Sequence, residues 1–368
     1  MRIIIATGIY PPDIGGPAKH VKLFQDFLSS QNSHASILTY GDQSSPSVRS
    51  VSRRWPFGIR QLFYFLKCLV AALFNDDFYA QDVTSAGLPA LAAAKILRRK
   101  FVVRIGGDVL WERLAESGKT DLSMVNYYVQ KRYFLDAPVL YAATLLVLRW
   151  ADAVIVPAEL LKKLYPEHYG LDPKKIFTIP NPVIAVKDQG CPALDQQTFL
   201  FAGRFVRYKN LDMLMRVFDR VRQKNKAGKL LLVGDGPERP QLENLMRQLE
   251  SGKFIEIRKG VSREDLSKII SCSGACVGPA STEFNPNFIL ECLAAGRPVI
   301  LSRENGLTIP LGEEFIFDPR NERELEQKMN DLLNGAKYRR LQSAVKKISK
   351  LEAGTFEKVL QIFHGLHL

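Results

Sequence analysis

Apolar positions in this 368-residue chain alternate between short unbroken runs and longer stretches with helical spacing. Residues 3–7 form a continuous apolar run that stops at Gly8, the pattern of a strand buried on both faces. After a loop, Val21, Phe24, Phe27 and Leu28 recur at helical intervals from about Pro17, and proline suits a first helical turn. Further strands are expected over 36–39, 101–105 and 153–156, and helices over 91–97 and 159–165. The stretch 180–197 holds three prolines and little periodicity, so a domain boundary is placed there. A fresh alternation follows. Strands are expected over 198–202, 230–233, 254–257, 275–277 and 298–301. One helix carries Leu211, Leu214, Phe218 and Val221 on one face, another starts near Arg239, and the chain is mostly helical from about Asn321, with a basic run at Lys346, Lys347 and Lys350. Strand–helix alternation in both halves predicts two α/β, doubly wound domains with parallel sheets. Ligands of such folds bind at the carboxyl ends of the strands, which points to a nucleotide-handling enzyme and predicts a cleft between the two sheets.

Composition changes this picture little. Hydrophobic content of 46% and charged content of 24% are ordinary for a globular protein, and two domains are the expectation for this length. The net charge of +13 is spread over both halves, so no basic tail accounts for it. It suits phosphate-bearing ligands or an anionic membrane, and equally plain solubility. No aromatic-interleaved basic strip suggests nucleic acid. The five cysteines are irregularly spaced; Cys272 and Cys276 share an apolar run and read as buried thiols of a reducing compartment. No signal peptide and no spanning helix are expected. Two strongly apolar stretches, 61–74 and 137–150, read either as core helices or as surfaces lying on a membrane beside basic residues.

Four constellations carry candidate chemistry. Gly15-Gly16, between the first strand and helix, allows close backbone approach of an anion to free amides, or merely makes a turn; neither a GxGxxG fingerprint nor a P-loop is present. Arg204 and Lys209 follow the first strand of the second half, where two cations could stabilise a diphosphate leaving group or simply sit in solvent. Gly234-Asp235-Gly236-Pro237 follows another strand and reads as a tight turn or a ligand loop. Glu283 and Glu291 flank Pro286 and Asn287, where a loop enters a helix; they could accept hydrogen bonds from sugar or ribose hydroxyls, or decorate the surface. No His-rich or paired-aspartate cluster suggests a metal.

Taken together and in order, these strings resemble the retaining GT-B fold glycosyltransferases of family four (glycosyl transferases group 1). STEFNPNFILECLAAGRPVI is similar to their E-x7-E signature, FAGRFVRYKN to their diphosphate-binding segment and LLVGDGPERPQLE to their Gly-Asp-Gly-Pro turn. IYPPDIGGPAKHV resembles their N-terminal glycine loop, and ADAVIVPAELLKKLY with KIFTIPNPV the last strands of their first domain. The resemblance implies an acceptor-binding domain over 1–185, a nucleotide-sugar-binding domain over 195–345, and a C-terminal helix over 346–368 packing back towards the first domain.

It implies that Arg204 and Lys209 hold the donor diphosphate and that Glu291 takes the ribose hydroxyls. Glu283, with the backbone of Phe284, Asn285, Asn287 and Phe288, would contact the transferred sugar, while Gly15, Gly16 and Gly234 line the donor. Catalysis would involve Glu283, Arg204, Lys209 and Asp108, with retention of configuration and neither metal nor cofactor. The sequence departs from the family where a histidine usually stands: Gly106 occupies that place. His20 is a candidate substitute, and Asp108 is left to orient the acceptor hydroxyl. Phe284 and Asn285 replace the usual glycine and aromatic, and Asn305-Gly306 replaces a commoner Gly-Gly. The expected function is a cytoplasmic glycosyltransferase, at the inner face of the membrane, moving a sugar from a nucleotide-sugar to a lipid-linked or cell-surface glycan acceptor; the alternative is an inactive binding or accessory protein on the same fold.

Overall fold

A computed structural model describes residues 1–13, 15–42, 45–183, 195–348 and 354–367. In it the chain forms two units, each built on one sheet. The first sheet takes seven strands: β1 (Arg2–Ala6), β2 (His34–Tyr40), β3 (Val48–Val51), β4 (Asp77–Ala80), β5 (Phe101–Arg104), β6 (Ala153–Val156) and β7 (Ile176–Thr178). They lie in the order β3-β2-β1-β4-β5-β6-β7, with every pairing parallel. The second takes six: β8 (Asp195–Arg204), β9 (Lys229–Asp235), β10 (Ile255–Arg258), β11 (Ser273–Gly278), β12 (Val299–Ser302) and β13 (Ile316–Phe317). Their order is β10-β9-β8-β11-β12-β13, again all parallel. Both sheets reverse direction of travel beside their first strand, so each has a switch point where a crevice opens at the carboxyl edge.

The unbroken apolar runs have a direct cause. A parallel sheet is covered on both faces, so successive side chains of one strand enter different cores. In β8, Phe199 and Phe201 join one buried cluster while Leu200 and Ala202 join another. In β1, Ile3 and Ile5 pack with Val21, Phe24 and Leu28 of the helix Gly16–Ser30. The expected strands and helices are present, with shifts of a few residues at their ends. Three short strands were not expected: β3, β4 and β13 have two to four residues each, too few to show a period, whereas β7, implied only by the resemblance of KIFTIPNPV, is present with three.

The first unit comprises 1–111, 127–182 and 354–368, and the second 112–126 and 183–353. The segment 112–126, expected inside the first domain, therefore groups with the second. Within the first unit, Val359, Ile362 and Phe363 of the helix Thr355–Gly365 share the core of Ile3 and Phe24. Lys350 of the expected basic run lies outside the described residues; Lys346 and Lys347 end the helix Gly335–Ile348. Cys68, Cys276 and Cys292 are buried free thiols, whereas Cys272 is disulfide-bonded, contrary to the thiol expected there.

The two apolar stretches are the helices Ile59–Ala72 and Pro138–Trp150. Neither is wholly core. The first buries Tyr64, Cys68, Ala71 and Ala72 and leaves Leu62, Phe63, Leu66 and Val70 exposed; the second exposes Val139, Leu146 and Trp150. Among the described residues no helix is long and apolar enough to cross a membrane.

One buried carboxylate ties the helices of the first unit together. Asp108 is 1% exposed. Its Oδ1 accepts from the Trp111 amide at 2.8 Å, and its Oδ2 accepts from the hydroxyls of Tyr128 at 2.7 Å and Tyr165 at 2.9 Å. Tyr128 in turn meets the Tyr169 hydroxyl at 2.7 Å. Burial pushes the carboxyl upward, and these hydrogen bonds hold it back. Removing the acceptor strands buried hydroxyls, each costing about 1–3 kcal/mol. Asp108→Ala is therefore expected to destabilise the first unit by about 3 kcal/mol, read as an earlier urea midpoint, while Asp108→Asn keeps part of the network and loses less. Equal midpoints for both variants and the parent chain would remove Asp108 from this structural role.

Candidate functional site

The second sheet presents its cations at the carboxyl end of β8, the strand beside the switch point. Arg204, its last residue, is in register with Asp235 at the end of β9. A single 3-10 turn, Arg207–Lys209, follows, and Asn210 closes it in the left-handed conformation before the helix Leu211–Asn225. The turn aims Lys209 at Glu283: Nζ lies 2.5 Å from Oε1, with both side chains nearly buried, at 14% and 13% exposure. The same ammonium sits 4.9 Å from the Tyr208 ring centroid. Arg204 is 63% exposed and forms a two-point pair with Glu116, at 2.9 and 3.2 Å. Arg207 pairs with Asp121 at 3.1 Å. Both acids belong to the 112–126 segment, which is also fastened to the loop after β11: the Met124 amide donates to Thr282 Oγ1 at 3.0 Å, and the Val125 amide to Glu304 Oε1 at 3.1 Å.

The loop after β11 carries the paired glutamates. The Glu283 amide donates to the Glu304 carbonyl at 2.8 Å and the Asn285 amide to the Asn305 carbonyl at 3.2 Å, so the loops after β11 and β12 brace each other. Asn285 has φ +59°, a left-handed conformation that asparagine tolerates better than most side chains. Phe284 and Asn285 turn inward and are buried, so the loop offers a ligand backbone there. Pro286 caps the helix Asn287–Ala294, whose first amides lack intrahelical partners and favour an anion. Phe288 is half-buried and packs edge-on to Phe201. Glu291, one turn further along, is buried. The loop-into-helix reading of the sequence thus holds, and the structure brings Arg204, Lys209, Glu283, Asn287 and Glu291 to one edge of one sheet.

Gly234 has a different reason. A Cβ there would lie 1.9 Å from the Gly203 carbonyl oxygen, and one at Gly236 would lie 2.3 Å from the Phe205 carbonyl oxygen. The Gly-Asp-Gly-Pro string is thus a turn whose glycines let two strand ends approach.

The remaining candidates belong to the first unit. Gly15 precedes the helix Gly16–Ser30 with extended backbone. A Cβ on Gly15 would strike Ile9, whereas one on Gly16 would meet nothing within 4 Å. His20 is buried: its Nε2 lies 3.3 Å from the Tyr79 hydroxyl, and its ring packs against Phe356. Burial, with the Arg104 charge beside it, holds the imidazole well below its usual pKa, in the neutral form. Asp108, saturated by Tyr128, Tyr165 and Trp111, is enclosed rather than presented to an acceptor. Neither residue is placed as the acceptor-side role required. Sequence reading passed over Glu116, Asp121, Thr282 and Glu304, whose partners lie up to 179 positions away, and over Arg104, an apparent strand residue. Among the described residues, no group of three or more His, Cys, Asp or Glu is placed to hold a metal.

Comparison with known proteins agrees with this architecture. The family model for glycosyl transferases group 1 matches residues 192–348, and that for glycosyltransferase family 4 matches residues 14–185. The chain is 22% identical over 358 residues to an uncharacterized glycosyltransferase of Methanocaldococcus jannaschii, spanning 85% of this chain and 82% of that one. It is 25% identical over 230 residues to an uncharacterized glycosyltransferase of Haemophilus influenzae, where the match spans 58% of this chain and 61% of the relative's length. Among solved structures, Anabaena HepE in complex with UDP superposes with a TM-score of 0.74 over the whole of both chains at 15% identity, a likeness of fold. Two family models that between them take in every strand but β1, on two all-parallel α/β units, place this chain in the group 1 glycosyltransferases of GT-B fold.

Proposed function

We propose that this glycosyltransferase binds a nucleoside diphosphate sugar at the carboxyl edge of its second sheet and transfers the sugar with retention of configuration, without a metal. The observation that carries the reading is the convergence of Arg204 and the Lys209–Glu283 pair on the same edge as Glu291 and the start of the helix Asn287–Ala294. A departing diphosphate gains negative charge as the sugar bond breaks, and fixed cations and helix amides stabilise that charge more than they stabilise the intact donor. Glu291, buried in the second helical turn, is suited to accept from ribose hydroxyls, and Glu283 to accept from a sugar hydroxyl while Lys209 fixes its carboxylate. In a same-face reaction the leaving diphosphate oxygen itself takes the acceptor proton, so no side-chain base is required. UDP bound in the HepE structure makes a uridine diphosphate sugar the first donor to test.

The acceptor in this reading is a glycan precursor anchored in a membrane. Its support is the exposed stripe Leu62, Phe63, Leu66 and Val70 of the helix Ile59–Ala72, continued by Leu73 and Phe74, with Trp55 and Phe57 before it. Arg54 and Arg60 lie in the same stretch, and apolar side chains ringed by cations bind anionic bilayers.

Three measurements test this function. With purified protein and a panel of sugar nucleotides, one donor is expected to release its nucleoside diphosphate slowly, and Arg204→Ala and Glu291→Ala are each expected to lower the rate by about 100- to 1,000-fold with the fold intact. Full rates in both variants, or binding without any turnover, would discard the site or the enzyme respectively. Glu116→Gln frees the exposed Arg204 guanidinium from its internal partner, so UDP affinity by calorimetry should rise several-fold; a fall would make Glu116 a ligand-side residue instead. Finally, Phe63→Asp with Leu66→Asp should abolish sedimentation with phosphatidylglycerol vesicles while leaving UDP affinity unchanged, and undiminished sedimentation would remove this stripe from the membrane contact.

A further inference from the structure

The first sheet carries a buried cation that no acid among the described residues answers. Arg104 ends β5 and is 3% exposed. Its Nη2 donates to Asn181 Oδ1, and among the described residues it forms no ion pair. The ionisable oxygen that it feels is the neutral hydroxyl of Tyr79. A guanidinium does not shed its proton to escape burial, so the charge stays, uncompensated by any described acid, where an isolated ion is costly.

Its surroundings are polar, neutral and short of partners. β4 and β5 pair with Tyr79 opposite Val102 and Ala80 opposite Val103. One step further along that register, Gln81 falls beside Arg104, on the face shared by Tyr79 and Val102. Gln81 is buried, and its amide nitrogen and oxygen find no geometrically sound hydrogen bond. His20 stands over the same face from the helix Gly16–Ser30, its Nε2 on Tyr79 and its buried Nδ1 without a partner. The way in is Gly106. This glycine is exposed, and a Cβ built on it would meet a single atom within 4 Å, Arg104 Nη1 at 3.5 Å. The guanidinium thus comes up beneath the position where any larger residue would carry a side chain, with open space above.

We propose that Arg104, reached over Gly106 and flanked by Gln81 and Asn181, holds an acidic group of the acceptor, a phosphate or a carboxylate. The planar guanidinium offers paired donors to either oxyanion, and the Gln81 amide, whose neighbour is the Tyr79 hydroxyl, has a second N–H to offer. The carboxyl edge of an α/β sheet is where such a fold takes ligands. Gly106 is then a requirement of the site, since a side chain there would cover Nη1. The proposal depends on the proposed transfer reaction only in calling the ligand an acceptor.

The test is calorimetric titration of the full chain with methyl phosphate, and separately with acetate, in saturating UDP so that the donor's own phosphate contacts are filled. Binding of methyl phosphate, acetate or both is expected, and the stronger of the two identifies the acidic group. Arg104→Gln should weaken it at least about tenfold while UDP affinity stays as in the parent. Gly106→Ala places a methyl in ordinary contact with Nη1 and with nothing else, so it folds even where Arg104→Gln does not, and it should weaken the same anion. Failure of both anions to bind in the presence of UDP, or unchanged binding in Gly106→Ala, overturns the proposal. Anion binding that persists in a chain unable to bind any nucleoside diphosphate would overturn the donor reading and leave this one standing.

Discussion

A parallel sheet forces every strand to run the same way, and that constraint places the chemistry of this protein. Each connection returns over a face of the sheet, both faces are buried, and the loops that remain accessible gather at the two edges. At the carboxyl edge of the second sheet, β8 delivers Arg204 and the turn with Lys209, while its neighbour β11 delivers Glu283 and the helix bearing Glu291. Residues about eighty positions apart meet because two adjacent strands end at the same level. Glu283 owes its position as well to the hydrogen bond that its amide donates to the Glu304 carbonyl, so β12 fixes the loop that β11 starts.

Charge accounting separates the cations of the two units. Arg204 and Arg207 are exposed and paired with acids of the 112–126 segment. Exposed pairs contribute roughly 0–1 kcal/mol, so a diphosphate with more charge and better geometry exchanges for the carboxylate at little loss. Lys209 and Glu283 are nearly buried and cannot separate so cheaply, since each would leave the other's charge uncompensated. In the proposed function that difference gives them different work: Arg204 would exchange its carboxylate for a diphosphate, whereas Lys209 and Glu283 would form a fixed frame to which the donor adapts. Arg104 is a third case, a buried cation with no acidic partner among the described residues, for which the proposed ligand would supply the counter-charge.

Much of this was legible in the sequence, and the limits are physical. Buried strands such as β6 and β9 are written as unbroken apolar runs because both faces are covered, and the glycines of Gly234-Asp235-Gly236 mark a backbone approach that no side chain permits. The strands β3, β4, β7 and β13 are too short to display a period. Burial also misled the reading of chemistry. Asp108 and His20 have reactive side chains near a motif, yet one is saturated by tyrosines and the other is a neutral core imidazole. No local pattern announces that 112–126 leaves the first unit to supply Glu116 and Asp121 to the second, because the signal lies wholly in contacts more than eighty residues distant.

The helix Ile59–Ala72 shows why hydropathy alone could not choose between a core and a surface. Its buried face is made of Tyr64, Cys68, Ala71 and Ala72, small or hydroxyl-bearing residues that fit close against the sheet, and Tyr64 spends its hydroxyl on the Leu38 carbonyl. Its larger aliphatic and aromatic residues point the other way. A helix stabilised only by its own core would place them in the opposite sense, since the hydrophobic gain scales with the area removed from water. The inversion leaves an apolar face uncovered among the described residues. In the proposed function an anionic bilayer would cover that face while meeting Arg54 and Arg60 at its headgroups, and it would bring a lipid-carried acidic acceptor to the unit that holds Arg104.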